Sequence, residues 1–177
     1  MSTTTMQTSM DMMDVLSKFV IPLLAAALAA FFSTRFALNK FYKEKWWEKR
    51  LEAFTEIINI AYRIKMSDDY FLKCGYAQME QETSIFKRHP KDIEEKLSAE
   101  YWLDIQELER IAQLADFTLT TKAKTLLEDY VKDKNKLLND WNDDGIDSIE
   151  GAERDLKLSE KLLSSLVSEA KKELKIQ

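Results

Sequence analysis

The chain has 177 residues, with 26 Lys/Arg against 31 Asp/Glu and a net charge of −5. That acidic balance argues against general nucleic-acid binding. One cysteine, Cys74, excludes an internal disulfide and agrees with a reducing compartment. Three glycines and two prolines leave little turn chemistry, which favours long helices over sheets.

Residues 1–11 begin MSTTTMQTSM, a polar, unpatterned stretch that predicts a disordered tail. The run Val15–Leu38, VLSKFVIPLLAAALAAFFSTRFAL, then predicts a single transmembrane helix, assigned to 12–39. Twenty-four helical residues rise about 36 Å, enough to cross a hydrocarbon core of roughly 30 Å. The charge-free part, Phe19–Thr34, is shorter, but Lys18 and Arg35 at its ends can bury their stems and lift their charges to the headgroups. Pro22 lies in the first turns, where a missing N–H disturbs few backbone bonds. A cleaved secretory signal is the first rival, and Asp11 and Asp14 ahead of the core give it the wrong charge. A buried core helix is the second.

The next segment, 40–50, opposes that second rival. Arg35, Lys40, Lys43, Lys45, Lys49 and Arg50 meet only Glu44 and Glu48, with Trp46 and Trp47 among them. Tryptophan prefers the membrane interface, and a Lys/Arg excess marks the cytoplasmic flank. Lys43, Lys45, Trp46, Trp47 and Arg50 are therefore the expected interface anchors. The orientation expected is N-terminus outside, C-terminal domain cytoplasmic. Aromatics mixed with cations also occur in single-strand binders, but the position beside the span favours anchoring. Residues 1–50 hold seven Lys/Arg and four Asp/Glu, a net of +3, so the remainder carries −8. Within the span, Ala25, Ala29, Ser33 and Ala37 recur every four residues, with Ala26, Ala30 and Thr34 alongside. Such ladders let helices approach closely in lipid and predict self-association.

Residues 51–177 predict a helical bundle. Trp47, Leu51, Phe54, Ile58 and Ala61 alternate spacings of four and three, widened by Ile57 and Ile64. No Gly or Pro separates this stripe from the span, so one helix is expected from about Met12 to Met66, with continuation towards Gly75 left open. A second helix should start after His89-Pro90, with Asp92, Glu94 and Glu95 in its first turns, and with Ile93, Leu97, Tyr101, Leu108, Ile111 and Ala115 as its stripe. The β-branched patch Phe117–Thr121 predicts a break. A third helix is expected over Thr121–Asp140, and a fourth from Ser148 as N-cap. The fold class is all-α, a single N-terminal transmembrane helix running into a cytosolic antiparallel helical bundle.

Motifs for chemistry are sparse. Asp140, Asn142, Asp144 and Gly145 match the first half of an EF-hand loop, but Asp147 and Gly151 stand where an apolar residue and a bidentate Glu belong. The reading is an acidic interhelical turn with Gly145 at positive φ. His89 is the lone histidine, far in sequence from Cys74, so neither a zinc site nor a Cys–His pair is expected. Asp68-Asp69 and Asp143-Asp144 read as solvated acidic pairs. No phosphate loop or nucleophile elbow occurs. The expectation is no enzyme, with no catalytic, cofactor or metal residues and no cofactor.

The stretch FYKEKWWEKRLEAFTEII, with the closing SEAKKELK, resembles a loose group of uncharacterised bacterial single-pass inner-membrane proteins. These carry a tryptophan-bearing juxtamembrane collar and a helical cytosolic domain. The resemblance covers roughly residues 35–65 and the last ten, and implies the inner membrane without adding an activity. Proteins of this build also occur among prophage and antiviral-defence genes, an analogy of architecture. The leading expectation is a membrane-anchored helical interaction and oligomerisation module with membrane lipid, copies of itself and a cytoplasmic protein as partners. The alternative is a ligand- or partner-triggered membrane-disrupting effector of an antiviral defence system. It would need a basic cluster for a nucleotide, and Lys87-Arg88 is the nearest. An enzyme with an unfamiliar site is the third reading.

Overall fold

A computed structural model describes residues 16–80, 86–143 and 145–175. The expected tail at 1–11 and the first residues of the expected span, 12–15, lie outside them. Among the described residues the protein is all helical. A π-helical turn, Leu16–Val20, leads into α1 (Ile21–Glu80); α2 (Lys91–Leu114) follows, then a 3-10 turn at Ala115–Phe117, α3 (Thr121–Asn142) and α4 (Ser148–Leu174). Pro22 accounts for the wide first turn, because it offers no N–H to the carbonyl four residues earlier.

The chain divides inside the basic collar into two units, one ending at Trp46 and one starting at Trp47. In the first, the helix carries a long apolar stretch with no buried residue. Phe19, Leu23, Leu28, Phe31, Phe32 and Phe36 are all exposed, so this helix has no polar face to turn to water. It is the one described helix long and apolar enough to cross a membrane. Thr34 stays compatible with that setting by donating its hydroxyl to the Ala30 carbonyl at 2.9 Å.

The second unit is a four-helix bundle. α1 runs through Ser67–Asp69 and past Gly75, where the sequence left its end open. Tertiary packing holds it there: a Cβ on Gly75 would sit 3.6 Å from the Ile149 side chain of α4. Cross-helix pairs set the topology. Arg50 pairs with Glu173, Lys65 with Glu160 at 4.0 Å, and Tyr76 donates to Glu153. Partner numbers fall as α1 numbers rise, so α1 and α4 are antiparallel. Arg63–Asp104 and Tyr70–Glu94 make α2 antiparallel to α1 in the same way. Phe54, Ile57 and Ile64 of α1, Leu108 of α2, Leu127 of α3 and Leu166 of α4 are fully buried in one core.

Helix ends follow local chemistry. Pro90 precedes α2, with Asp92 and Glu94 in its first turn, as expected. Thr120 caps α3 by accepting the Ala123 N–H at 3.1 Å. The cap of α4 is Asp147, not Ser148: its carboxylate accepts the Ile149 N–H at 2.8 Å. Gly145 does not adopt positive φ. Its N–H bonds the Asp140 carbonyl at 2.9 Å, and a Cβ would lie 3.0 Å from that same oxygen. Close backbone approach, not handedness, selects glycine there. Ile93, expected within the α2 stripe, is exposed at its start, and Leu114 is exposed at its end.

Candidate functional site

Each bundle helix repeats core positions at alternating four- and three-residue spacings, and each carries polar residues in that register toward one end. On α1 the series Ile57, Ala61, Ile64 continues to Asp68; on α2, Leu108 and Ile105 lead back to Tyr101. On α3, Leu127 and Tyr130 lead to Lys134; on α4, Leu166 and Leu162 lead back to Ser159 and Asp155. The result is a polar layer across the core. Lys134 is 2% exposed, Asp68 4% and Asp155 8%. The solvated reading of Asp68 is therefore corrected, because the α1 stripe rotates it inward; Asp69 beside it is half-buried and accepts from Lys73 at 2.6 Å.

Lys134 donates to both the Tyr101 hydroxyl and Asp155 Oδ2, and its Nζ lies 5.0 Å from the Tyr101 ring centroid. Tyr101 Oη also lies 3.3 Å from Asp155 Oδ2. In this layer three buried atoms have no hydrogen-bond partner: Asp68 Oδ2, Asp155 Oδ1 and Tyr130 Oη. Burial first, and the Asp155 carboxylate second, push the Asp68 carboxyl up to about 6. Burial and the two carboxylates hold the Tyr101 and Tyr130 phenols well above the usual range.

A pocket of about 240 Å³ opens onto this layer, lined by Asp68, Tyr101, Lys134 and Asp155 and walled by Phe71, Trp102 and Trp141. Trp102 is half-exposed and meets the Tyr101 ring edge-on at 5.4 Å. Gly151 places the Trp141 indole: a Cβ would come within 3.0 Å of Trp141 Cε3. Surface grooves of about 440 Å³ beside Lys49 and Arg110 and about 350 Å³ beside Tyr70 and His89 are larger. The 240 Å³ pocket is the one lined by residues with orphaned carboxylate oxygens. None of its residues was expected as a site. The available signal was the register: Asp68, Lys134 and Asp155 each extend an apolar stripe.

The connection into α2 forms a second polar group. Arg88 forks onto Glu94 at 3.0 and 2.7 Å, Tyr70 donates to Glu94 at 2.7 Å, and the His89 N–H donates to the Tyr70 hydroxyl at 2.8 Å. His89 stacks on Tyr70 with centroids 4.7 Å apart. Arg88 above all, with Tyr70, holds the Glu94 carboxyl down at about 2. Arg88 is thus committed to a carboxylate rather than presented to a phosphate. Burial pushes the Cys74 thiol up, away from nucleophile chemistry.

The expected anchors and ladder all lie on α1. Lys43, Lys45, Trp46 and Trp47 are exposed, as are Ala25, Ala29, Ser33 and Ala37. Arg50 differs, since it pairs with Glu173 near the end of α4. Of the EF-hand-like residues, Asp140 and Asn142 are held in α3, and Asp144 lies outside the described residues. Among the described residues no group of three or more His, Cys, Asp or Glu could hold a metal ion. No protein-family model, no curated protein and no solved structure matches the chain.

Proposed function

We propose that this chain is a non-enzymatic, single-pass helical interaction module, anchored in a bacterial inner membrane and self-associating, with its bundle at the cytoplasmic face where a protein partner is held. One observation carries the reading. The segment Phe19–Thr34 carries no charge and exposes its large apolar side chains. Exposed to water, an apolar surface of that length is a strong association liability; in lipid it is the expected surface. The exposed Lys43, Lys45, Trp46 and Trp47 that follow support an interfacial collar, each cation worth about 1 kcal/mol near an anionic leaflet. Arg50, the remaining expected anchor, also pairs with Glu173 near the end of α4. The polar layer and its pocket support the second reading, a ligand-triggered membrane effector.

The test is alkaline carbonate extraction of native membranes, with reporter fusions at each terminus to read orientation and cross-linking to read assembly. Retention in the pellet, an external N-terminus and a cross-linked ladder lost in Ala29→Leu/Ser33→Leu are expected. Release into the supernatant refutes the anchor. Unchanged cross-linking in the double variant refutes the small-residue contact. Collapse of the membrane potential on expression favours the effector over the passive module.

A further inference from the structure

The bundle's polar layer is incomplete as it stands. Asp68 Oδ2 and Asp155 Oδ1 are shielded from solvent without a hydrogen-bond donor, on residues at least nine-tenths buried that line the pocket. The layer's one cation, Lys134, is already engaged by Asp155 Oδ2 and the Tyr101 hydroxyl. With both acids ionised, the layer keeps one negative charge in excess. Buried carboxylate oxygens want donors, and a buried net charge wants its opposite.

The pocket's chemistry selects among occupants. An anion would meet two carboxylates and a lysine already bonded. A divalent metal ion needs more oxygen ligands than two carboxylates beside an ammonium provide. A neutral apolar molecule would leave both oxygens orphaned. A compact organic cation satisfies every feature, because its N–H groups supply donors and charge while its body lies against aromatic faces. Trp102, Trp141 and Phe71 supply those faces. The volume of about 240 Å³ is just under the roughly 300 Å³ at the low end of ligand pockets, which restricts the body to one ring or a fused pair.

We propose that the pocket between Asp68, Trp102, Trp141 and Asp155 is a binding site for a small aromatic amine or amidine, whose cationic N–H groups bond Asp68 Oδ2 and Asp155 Oδ1. The groups facing Asp68 are Tyr101 from α2, Tyr130 and Lys134 from α3, and Asp155 and Ser159 from α4. Asp68 holds its proton up to about pH 6, so the cation displaces that proton and binding weakens on acidification. Every residue involved belongs to the bundle unit, so this inference stands whether or not α1 crosses a bilayer.

The experiment is isothermal titration of the full chain in neutral maltoside micelles with phenethylamine and with benzamidine. Phenylpropionate and benzoate serve as anionic matches of the same bodies. Saturable one-to-one binding of the amines, none of the acids, and a loss of affinity of about tenfold or more in Asp68→Asn are expected. Affinity should also fall severalfold between about pH 7.5 and about pH 5. Ala152→Leu, which fills the pocket and leaves every charge in place, should abolish binding with the helical circular dichroism retained. Should Ala152→Leu fail to fold, Asp68→Asn decides alone. No saturable heat from either amine up to about 10 mM, equal binding of the acids, or wild-type affinity in Asp68→Asn each overturns the assignment.

Discussion

Asp68→Asn should stabilise the free protein at neutral pH, although it removes a charged residue from the centre of the bundle. Asp68 is 4% exposed, and burial with the neighbouring Asp155 lifts its carboxyl from 3.8 to about 6. A lift of that size disfavours the ionised folded state by about 3 kcal/mol relative to the unfolded chain. The sign follows from where the protons sit. Between about pH 4 and about pH 6 the folded state binds more protons at this site than the unfolded state does. The stability contributed by protonated Asp68 is therefore complete below 3.8 and lost as pH rises through about 6. Asparagine keeps the shape and stays neutral throughout. The value of about 6 already includes the downward pull of Ser159, Lys134 and Tyr101, and the cost of seating a buried amide in place of the carboxyl leaves a net gain of about 1–2 kcal/mol at neutral pH. For a unit of this size that is a rise in Tm of roughly 3–10 °C.

The assay is thermal unfolding followed by circular dichroism in neutral micelles at about pH 5, about pH 6 and about pH 7.5, without added ligand. The variant should melt higher than wild type at the top of that range and converge with it at the bottom. Asp155→Asn is the contrast. It strips Lys134 of its bonded carboxylate partner, leaves only the unbonded Asp68 to balance that cation, and should cost about 1.5–3 kcal/mol. If Asp68→Asn melts below wild type at about pH 7.5, or keeps the wild-type dependence on pH, the carboxylate is not the destabilising group and the electrostatics of the layer are misread.

Two further outcomes test the bundle outside that layer. Leu166→Ala, at a fully buried position of α4 packed in the common core, should lose about 2–5 kcal/mol in denaturant melts; a loss under about 1 kcal/mol would mean that the core is not formed around it. Glu94→Gln removes the charge and one of the two oxygens that receive the Arg88 fork, and amide exchange at residues 86–90 and in the first turn of α2 should accelerate. Glu94 is held down at about 2 from an ordinary 4.5, so its support is present above 4.5, is lost as pH falls through about 2, and should be absent from the variant across that window.

The helices were legible because their signals are local. The Pro90 start of α2, the break before α3 and the charge-free span follow from propensity, N-terminal chemistry and hydropathy. What was not legible depends on neighbours. Nothing within Ser67-Asp68-Asp69 says whether the helix ends there, since the packing that carries α1 onward comes from α4, some eighty residues later, where Ile149 meets Gly75. Lys134 and Asp155 look like any solvated charge until their helices are set side by side, even though each falls in the register of its own apolar stripe. A charge in that register has two physical outcomes, beyond the bundle's end in water or inside it with a partner, and only the partner helices decide. Here the inside outcome holds, and it is imperfect: one ion pair is closed while Asp68 is left with an orphaned oxygen. A fold optimised for stability alone would place an apolar residue or asparagine at position 68. The carboxylate persists at a cost that a single substitution relieves, and that cost falls on a residue lining an aromatic-walled pocket. Destabilising charge concentrated where a ligand can neutralise it is the pattern of a binding site. The amine titration and the Asp68→Asn melts therefore test one argument from two sides, since the substitution that stabilises the empty protein should be the one that weakens its occupant.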